Sequence, residues 1–416
     1  MVFGDNVRVF CGNQAMHFKQ VVLGADFGRV PYSKLYANPS SQHWKTYLAF
    51  HDTMNSHVRR KDAGESLSDD DITLSSILSA TVMFEATKPD DKIYGLFNVC
   101  KRLGFELPAP DYQKPLATVY TEAAQAMLRY GPGLAPLLMA CESTSWELGL
   151  PSWVPDFSDS FRSWTPSRPP RTALFAKASP SISGQTAAQY DFIENGRVLR
   201  VKGRRLDMVH VAGLPWIVDN AANMLGGAQI PTLQAMSSLI ESIGSWLDVV
   251  QQRGGQDTTM AAIVLLRLLM YDASPSQQVS TRELETLASS MLGLVALSRQ
   301  DRSPYQSSLA DLREPPSTPY VGEDISGAQM QDILGKVFGC SWKTVFRTLD
   351  GHLGLGTHTV RAGDVVVVFY GSSLAAVLRT CEGHFRYIGP AYVGGLEDGG
   401  FWSLSSSASD EWFTLK

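Results

Sequence analysis

The sequence predicts an α+β protein, with a helical N-terminal part that retains one residual strand and a C-terminal β-barrel-like module that is interrupted by a helical insertion. Three observations support this class. Apolar residues recur at helical spacing before position 131 and again between 230 and 300. They alternate, or run without a break, from 197 to 213 and after 340. Stretches rich in Pro, Ser and Gly separate these segments, and a chain of 416 residues is long enough for two or three domains.

The first predicted domain covers residues 1–188 and consists mainly of helices. Apolar residues three or four positions apart and a start or stop signal mark each helix. The predicted elements are a half-buried strand over 7–11, a helix capped by 69–71 that starts at Leu74, a short helix over 91–100, and a helix that starts after Pro115 and ends at Gly131. Proline suits the start of the last helix because a first turn needs no N–H donor there.

A stretch from Trp146 to Pro180 is rich in Trp, Pro and Ser, and its prolines exclude regular helices and central strands. We interpret it as an ordered loop that wraps a surface and continues as a flexible segment to residue 188. Its aromatic side chains are dense enough to line a pocket or a partner groove, and anchoring of the loop is the alternative role. The candidate binding residues are Trp146, Trp153, Phe157 and Trp164.

The remaining chain is predicted to form a β module with an insertion. Its parts are a strand pair over 189–229, a helical insertion and loop over 230–338, and a C-terminal β segment over 339–416. Within the strand pair, "RVLRVKGRRLDMVHVAG" (197–213) is expected to bend at Gly203. The insertion contains a capping box from Ser280 to Glu283 and a last helix over 330–338.

The run Val365 to Val368 can be interpreted as part of a phosphate-binding loop or as a buried strand. The glycines of "GHLGLG" (351–356) do not match the dinucleotide fingerprint, and a phosphate loop would lead into a helix opened by Lys and Ser or Thr. Here "GSS" leads instead into "LAAVLR", which has the composition of a second strand. Since the valines do not alternate with polar residues, we predict a central strand that is covered on both faces.

Charge and composition argue against several partners. The formal net charge is -5, so the chain lacks the overall basic field that binding to nucleic acid or anionic membranes requires. The longest apolar stretch, Met260 to Tyr271, contains Arg267, so no membrane span is expected. The five cysteines include no C-x-x-C pair, which fits a cytoplasmic location. A protein or a small molecule is the expected partner, and an oligomer is compatible with the sequence.

No motif in the sequence identifies a catalytic centre. The eight histidines include no H-E-x-x-H pattern and no Cys-His cluster at zinc spacing, so neither a metal nor another cofactor is expected. Cys340 has no base nearby in the sequence. Polar residues of the C-terminal segment could serve acid–base chemistry, although surface loops gather such side chains regardless of function. These candidates are His352, His358, His384, Asp364, Glu397 and Asp398.

Three motifs occur in the order of a known family. "FEATKPDDKIYGLF" (84–97), "PDYQKPLATVYTEAA" (110–124) and "LPSWVPDFS" (150–158) resemble the fungal heterokaryon-incompatibility (HET) domain proteins. Strand sequences after residue 197 resemble the same family, so the resemblance covers most of the chain. Asp91, Lys92 and Tyr94 match the first motif, and a local salt bridge and a buried phenol hydrogen bond would give them scaffold roles.

The chain also departs from this family. Asp90 stands where the family usually has Arg, and "LEDGG" (396–400) replaces the more usual "M-D-G-E". The family's N-terminal core, which is similar to TIR domains, would end about where Met1 stands. We therefore expect that core to be missing, and none of its functional positions is transferred.

Two functions are compatible with these observations. The first is a HET-family-like protein of fungal non-self recognition and cell-death regulation, which acts as a recognition or regulatory module through protein contacts. The alternative is a truncated HET-like scaffold recruited as an enzyme, a cofactor-independent isomerase or cyclase of fungal secondary-metabolite biosynthesis. Such an enzyme needs a shaped pocket with convergent polar groups, whereas a recognition module needs an exposed patch.

Overall fold

The computed structural model describes the chain in several stretches. They are residues 8–11, 14–17, 59–60, 63–64, 73–81, 86–131, 133–141, 148–158, 182–184, 186–217, 233–251, 257–269, 280–300, 340, 342–396, 399–404 and 409–416. The helix predicted over 330–338 lies outside them. Within these stretches, no helix is both long and apolar enough to cross a membrane.

The N-terminal part contains a short hairpin followed by helices. The elements are β1 (Arg8–Cys11), β2 (Gln14–His17), α1 (Leu74–Thr81), α2 (Asp91–Tyr94), α3 (Phe97–Leu103), α4 (Leu116–Tyr130) and α5 (Ala135–Met139). The predicted strand is one arm of an antiparallel hairpin, in which Arg8 lies opposite His17. Helices α1 and α4 confirm two of the predicted helices. The single helix predicted over 91–100 is wrong, because this segment forms parts of two short helices that are separated at Gly95.

Helix α1 begins after Thr73 and not directly after the aspartates at 69–71, which lie outside the described residues. The Thr73 hydroxyl accepts a hydrogen bond from the Ser76 backbone N–H, and the Ser76 hydroxyl accepts one from the Thr73 N–H, both at 3.1 Å. This reciprocal pair satisfies N–H groups that have no partner within a first helical turn.

The C-terminal part consists of strands with a helical insertion. The strands are β3 (Tyr190–Ile193), β4 (Val198–Ala212), β5 (Lys343–Thr348), β6 (Leu353–Thr357), β7 (Val365–Phe369), β8 (Ala375–Cys381), β9 (His384–Val393) and β10 (Asp410–Leu415). The helices are α6 (Leu233–Gln251), α7 (Thr258–Leu269) and α8 (Thr281–Gln300) in the insertion, and α9 (Gly400–Leu404) before β10. The capping box at the start of α8 is confirmed, because the Ser280 N–H donates to the Glu283 carboxylate (2.7 Å) and the Glu283 N–H to the Ser280 hydroxyl (3.2 Å).

The strands pair into a closed antiparallel ring. Its order is β4, β5, β6, β9, β8 and β7, and β7 returns to β4. Strand β10 pairs along β4 and meets β9 at one end, where Leu415 lies opposite Phe385. Strand β3 forms a hairpin with the first residues of β4. The single strand β4 therefore connects β3, β5, β7 and β10.

The strand pair predicted over 197–213 is wrong, because β4 runs as one strand through Gly203. The turn of the hairpin lies earlier, at Glu194–Gly196. At Gly203, a Cβ atom would lie 2.7 Å from the Val368 carbonyl oxygen and 2.8 Å from the Phe369 ring. Glycine is therefore required for the close approach of β7 to β4, and not for a change of chain direction.

The four valines form most of β7, and their side chains are buried on both sides of the strand. Val365 and Val367 pack against the N-terminal helices, whereas Val366 and Val368 belong to the interior of the ring. None of them is more than 2% exposed. The predicted central strand is confirmed, and a phosphate-binding loop at this position is excluded.

Three apolar cores are present in the described part of the chain. The first joins α1–α5 and the loop around Trp153 to β4 and to strands β7–β10. The second packs α6–α8 against β5 and β6, and the third fills the ring. Because Tyr120 of α4 and Phe413 of β10 belong to the same core, the helical part and the ring are packed together.

Candidate recognition surface

The side of β4 and β10 that faces away from the N-terminal helices carries interleaved cations and aromatic rings. Arg200, Lys202 and Arg204 point to this side because side chains alternate along a strand, and Leu199 and Val201 enter the helix-facing core. In the antiparallel register, Asp410 lies opposite Arg204 and Trp412 opposite Lys202. We call this surface the cation–aromatic face, and it comprises Arg200, Lys202, Arg204, Tyr370, Trp402, Asp410 and Trp412.

Asp410 accepts hydrogen bonds from three sides and forms the centre of the face. The Arg204 Nε donates to its Oδ1 at 2.7 Å. The Tyr370 hydroxyl donates to its Oδ2 at 2.6 Å, and the Lys202 Nζ lies 3.2 Å from the same oxygen. Burial acts to raise the pKa of Asp410, but the hydrogen bonds from Tyr370 and the two cations outweigh burial and lower the pKa to about 2. The carboxylate is therefore ionised at neutral pH and holds its donors in place.

The Arg204 guanidinium also connects α9 to the ring. Its Cζ lies 4.0 Å from the Trp402 ring centroid and 5.9 Å from that of Tyr370, and its Nη1 donates to the Trp402 carbonyl oxygen at 2.9 Å. Tyr370 and Trp402 pack edge to face, with 4.6 Å between their centroids. Cation–π contacts and hydrogen bonds together hold these side chains in one arrangement.

The open end of the face presents an accessible tryptophan. Trp412 is 43% exposed, and the Arg200 Cζ lies 5.0 Å from its ring centroid. The Arg200 Nε also lies 3.4 Å from Oδ1 of Asp191 in β3. Tryptophan and arginine are enriched at the energetic centres of protein interfaces, because they bury large areas and donate hydrogen bonds. The face therefore combines the buried Arg204–Asp410 pair with the accessible ring of Trp412.

His352 lies in the turn between β5 and β6, close to Asp207 of β4. The Asp207 carboxylate accepts hydrogen bonds from the backbone N–H groups of Met208 (2.7 Å) and Asp350 (2.8 Å). Burial acts to raise the pKa of Asp207, but a hydrogen bond from Thr348, the backbone donors and the nearby His352 outweigh burial and lower the pKa. These contacts fix the turn, and an acid–base role for His352 stays a prediction.

His358 and Asp364 lie at opposite ends of the loop between β6 and β7. The His358 ring packs edge to face against Trp342, with 4.9 Å between the ring centroids. Asp364 is buried and accepts two hydrogen bonds from Arg379, from Nε at 2.8 Å and from Nη2 at 3.0 Å. The carboxylate is therefore part of a buried ion pair that fixes this loop.

The three candidate histidines do not converge. His352 and His358 flank the two ends of β6, and a strand of this length separates them by about 20 Å. His384 begins β9 at the tip of the β8–β9 hairpin, where its Nδ1 lies 2.9 Å from the Glu382 carbonyl oxygen. No group of three His, Cys, Asp or Glu side chains in the described stretches is arranged to hold a metal ion.

Two candidate aromatic residues of the proline-rich loop are buried. The indole N–H of Trp153 donates to the Arg197 carbonyl oxygen at 3.0 Å, and Phe157 packs edge to face against Tyr120 with 5.2 Å between centroids. These contacts favour anchoring of the loop over ligand binding by these two residues. The remaining candidates lie outside the described residues, namely Trp146, Trp164, Glu397 and Asp398.

The HET-like motif residues join α2 to the segment that precedes α4. The Tyr94 hydroxyl donates to the Asp111 carbonyl oxygen at 2.8 Å, and Asp91 Oδ1 accepts a hydrogen bond from the Tyr112 hydroxyl at 2.7 Å. Lys92 lies between them in α2 and is half-buried. The first two motifs therefore meet in space, through contacts of the kind expected for scaffold residues.

The cation–aromatic face was not identified from the sequence. Its signal consists of cations at every second position from Arg200 and of an acid and a tryptophan two positions apart, Asp410 and Trp412. These two patterns lie far apart, since 206 positions separate Arg204 from Asp410. The register of β4 and β10 makes them neighbours, and no local pattern gives that register.

Comparison with known proteins gives one match, to the C-terminal part of the chain. Residues 323–413 match the family model of the Het-6 beta-barrel domain. The match covers β5–β9 and most of β10, and it points to a HET-related protein. Strand β4, which closes the ring, lies outside the matched span. Searches of curated proteins and of solved structures found no match to the chain.

Proposed function

We propose that the protein is a recognition or regulatory module of fungal non-self recognition and cell-death regulation, and that it binds a protein through the cation–aromatic face. The observation that carries this proposal is the exposed Trp412 ring, which lies next to the Arg200 guanidinium. Trp412 belongs to β10, and this strand is paired along its length with β4. The match to the Het-6 beta-barrel domain supports the HET-related context. A cytoplasmic location belongs to the same proposal.

A protein partner fits this face better than a nucleic acid does. Lys202 and Arg204 are paired with Asp410, and Arg200 is paired with Asp191. Cations that already have carboxylate partners offer little net charge to a phosphate backbone. An accessible tryptophan among paired charges instead supplies apolar area with a polar rim, which is the composition of protein interfaces. The formal net charge of -5 also disfavours binding to a nucleic acid.

The alternative, an isomerase or cyclase, requires polar groups that converge on one cavity. The three histidines considered for it lie at separate positions, and Asp364 is held by Arg379. No observation favours a particular reaction, and the recognition module is the proposal that the described side chains support better.

Native mass spectrometry of the full chain, purified gently from a fungal host, tests this proposal. We expect a bound protein on the wild type and on Met260→Ala, which alters a similarly exposed residue (52%) on α7. Trp412→Ala and Arg200→Ala should each lose most of that complex. Equal complex formation by Trp412→Ala and Met260→Ala would contradict the assigned surface. A retained small molecule with no bound protein would favour the enzyme.

A further inference from the structure

Strand β10 has a backbone edge that lies beside the cation–aromatic face, and the hydrogen bonds of β4 show how this edge is oriented. The Lys202 N–H donates to the Gln189 carbonyl oxygen at 2.9 Å. The Lys202 carbonyl oxygen accepts a hydrogen bond from the Tyr370 N–H at 3.0 Å. Both backbone groups of Lys202 are therefore directed toward β3 and the end of β7, which lie on the side of β4 away from β10.

Trp412 is the residue that pairs with Lys202 across β4 and β10. In an antiparallel pair, positions that exchange hydrogen bonds alternate with positions at which both residues direct their N–H and C=O groups away from the partner strand. Since Lys202 is directed away from β10, the N–H and C=O of Trp412 are directed away from β4. Asp410, two positions earlier in β10, has the same orientation.

The open edge is confined to the first part of β10. At the end of this strand, Leu415 lies opposite Phe385 of β9, and the Lys416 N–H donates to the Phe385 carbonyl oxygen at 3.0 Å. Among the described strands, none pairs with this edge before Leu415. The outward backbone groups of Trp412 therefore lie on an edge that no described strand covers.

This edge lacks the features by which proteins usually prevent strand addition. Edge strands commonly carry lysine or proline, or contain a bulge, and each of these blocks pairing with another chain. Strand β10 reads "DEWFTL" (410–415), without lysine or proline. Its register with β4 contains no shift. The strand therefore keeps the regular spacing that a further strand requires.

The accessible ring of the cation–aromatic face is at the same position as the outward backbone groups. Trp412 is 43% exposed, and its ring lies next to the Arg200 guanidinium. A residue that pairs with Trp412 from the open side projects its side chain to the same face, with the two Cβ atoms about 5 Å apart. One added strand therefore satisfies the backbone of Trp412 and covers its ring.

A single extended segment fits this edge better than a second copy of this chain does. The β10 strand of every copy already has β9 on this edge at Leu415. In a symmetric antiparallel pairing centred on Trp412, Leu415 of one copy lies opposite Ser409 of the other, at the place that Phe385 already occupies. A segment without a β9 strand of its own has no such conflict.

We propose that an extended segment of the partner protein adds to β10 as a further β-strand and places an apolar side chain opposite Trp412. This inference rests on the proposed function, because it specifies how the partner binds the cation–aromatic face. Main-chain hydrogen bonds supply affinity in this mode of binding, and the side chain on the indole supplies selectivity. Proline does not fit the paired position, because it has no N–H to donate to the Trp412 carbonyl oxygen.

Amide hydrogen exchange resolved to single residues tests the proposal on the full chain, alone and in complex with the protein that copurifies from the fungal host. In the free chain, the Trp412 N–H should exchange rapidly and the Phe413 N–H slowly, because Phe413 faces β4. The complex should slow exchange at Trp412 by at least about tenfold and leave Phe413 unchanged.

Replacement of one backbone amide by an ester tests the hydrogen bond itself, in a chain assembled with a synthetic C-terminal segment. An ester at the 411–412 bond removes the Trp412 N–H and keeps the indole. It should weaken the complex roughly two- to tenfold and leave the urea unfolding midpoint unchanged. An ester at the 412–413 bond is the control, since it removes an N–H that faces β4. It should lower the unfolding midpoint and leave the affinity unchanged.

The possible results separate this inference from the proposed function. Slow exchange of Trp412 in the free chain would overturn the inference, because the edge is then covered. Rapid exchange at Trp412 in a complex that Trp412→Ala abolishes would overturn strand addition and leave recognition through the face intact. A complex of two copies of this chain alone would also overturn the inference. If the wild type binds no protein, the proposed function and this inference both fail.

Discussion

At the scale of single residues, Gly203 shows how a missing side chain determines which strands become neighbours. Its backbone approaches the Val368 carbonyl oxygen and the Phe369 ring so closely that a Cβ atom would lie within 2.8 Å of both. Strand β7 is buried on both faces, so neither group can move aside without disturbing a core. The closure of the ring at β4 and β7 therefore depends on glycine at this position.

Gly203→Ala should lower the free energy of unfolding by about 1–3 kcal/mol, because the new methyl group overpacks a buried strand pair. Gly293→Ala is the matched control, since no atom lies within 4 Å of a Cβ at that exposed position in α8. It should raise the free energy of unfolding by roughly 0.5–1 kcal/mol through helix propensity. Urea unfolding of the full chain measures both, and equal effects would contradict the close approach.

Asp410→Asn should lower the free energy of unfolding by about 1–3 kcal/mol at pH 7, because buried Arg204 loses its ionised partner. The pKa of Asp410 falls from 3.8 to about 2 on folding, so the carboxylate stabilises the folded state above the unfolded value. That contribution is lost as the pH falls from about 4 toward 2.

The test for Asp410 is urea unfolding of wild type and variant at several pH values. The difference between their unfolding free energies should stay constant from neutral pH to about pH 5 and shrink below about pH 4. Glu411→Gln is the control, because Glu411 pairs with Arg205 at an exposed site and should contribute about 0.5 kcal/mol or less. A difference for Asp410→Asn that grows at acid pH would contradict the lowered pKa.

At the scale of elements, the "LPSWVPDFS" segment connects the helical part to the strands. The Ser152 hydroxyl donates to the Lys416 carbonyl oxygen at 2.6 Å and accepts a hydrogen bond from the Tyr387 N–H at 2.9 Å. One side chain therefore holds the end of β10 against β9. The adjacent Trp153 holds the residue before β4 through its bond to Arg197.

Ser152→Ala should lower the free energy of unfolding by about 2 kcal/mol, because it leaves a buried N–H and a carbonyl unsatisfied. Hydrogen exchange at Tyr387 should become faster at the same time. Ser289→Ala is the control, since that hydroxyl donates to the Glu285 carbonyl on an exposed helix and should change stability by about 0.5 kcal/mol or less. Unchanged exchange at Tyr387 would contradict the linking role of Ser152.

Elements with local signals could be predicted from the sequence. Helix α4 follows Pro115, α8 follows its capping box, and β7 is marked by four valines. The single strand β4 was interpreted as a strand pair because glycine has two physical uses, at a bend and at a site of close approach. Only the neighbouring strand distinguishes them, and that strand lies more than 160 positions further along the chain.

At the scale of the whole molecule, the ring and the Het-6 match do not have the same extent. The match begins at 323, whereas β4 ends at Ala212 and supplies the partner that closes β7 onto β5. The outward face of β7 is covered by the N-terminal helices. The matched span therefore depends on earlier parts of the chain for both its pairing and its core.

A fragment of residues 323–416 should accordingly fail to fold by itself. Without β4, two strand edges lose their hydrogen-bond partners, and without α1–α5 the apolar face of β7 is exposed to water. Amide spectra by nuclear magnetic resonance should show narrow dispersion for the fragment and wide dispersion for the full chain. Wide dispersion in the fragment would show that the ring does not need β4.

The candidate surface could not be predicted at this scale. Its cations lie in β4, its acid and exposed tryptophan in β10, and its remaining rings at Tyr370 and Trp402. Each piece alone resembles an ordinary solvent-facing strand or loop. Only the folded chain brings the pieces into contact, whereas the candidates with a local sequence signal were histidines and the tryptophan-rich loop.

Site-specific photocrosslinking in a fungal host tests the central claim most directly. A photoreactive phenylalanine derivative at position 412, which keeps an aromatic ring in place of the indole, should yield a discrete covalent complex with one protein, and Arg200→Ala should weaken it. The same amino acid at position 260, exposed to a similar degree on α7, should yield none. A complex that forms equally well from both positions, or from neither, would contradict recognition through the cation–aromatic face.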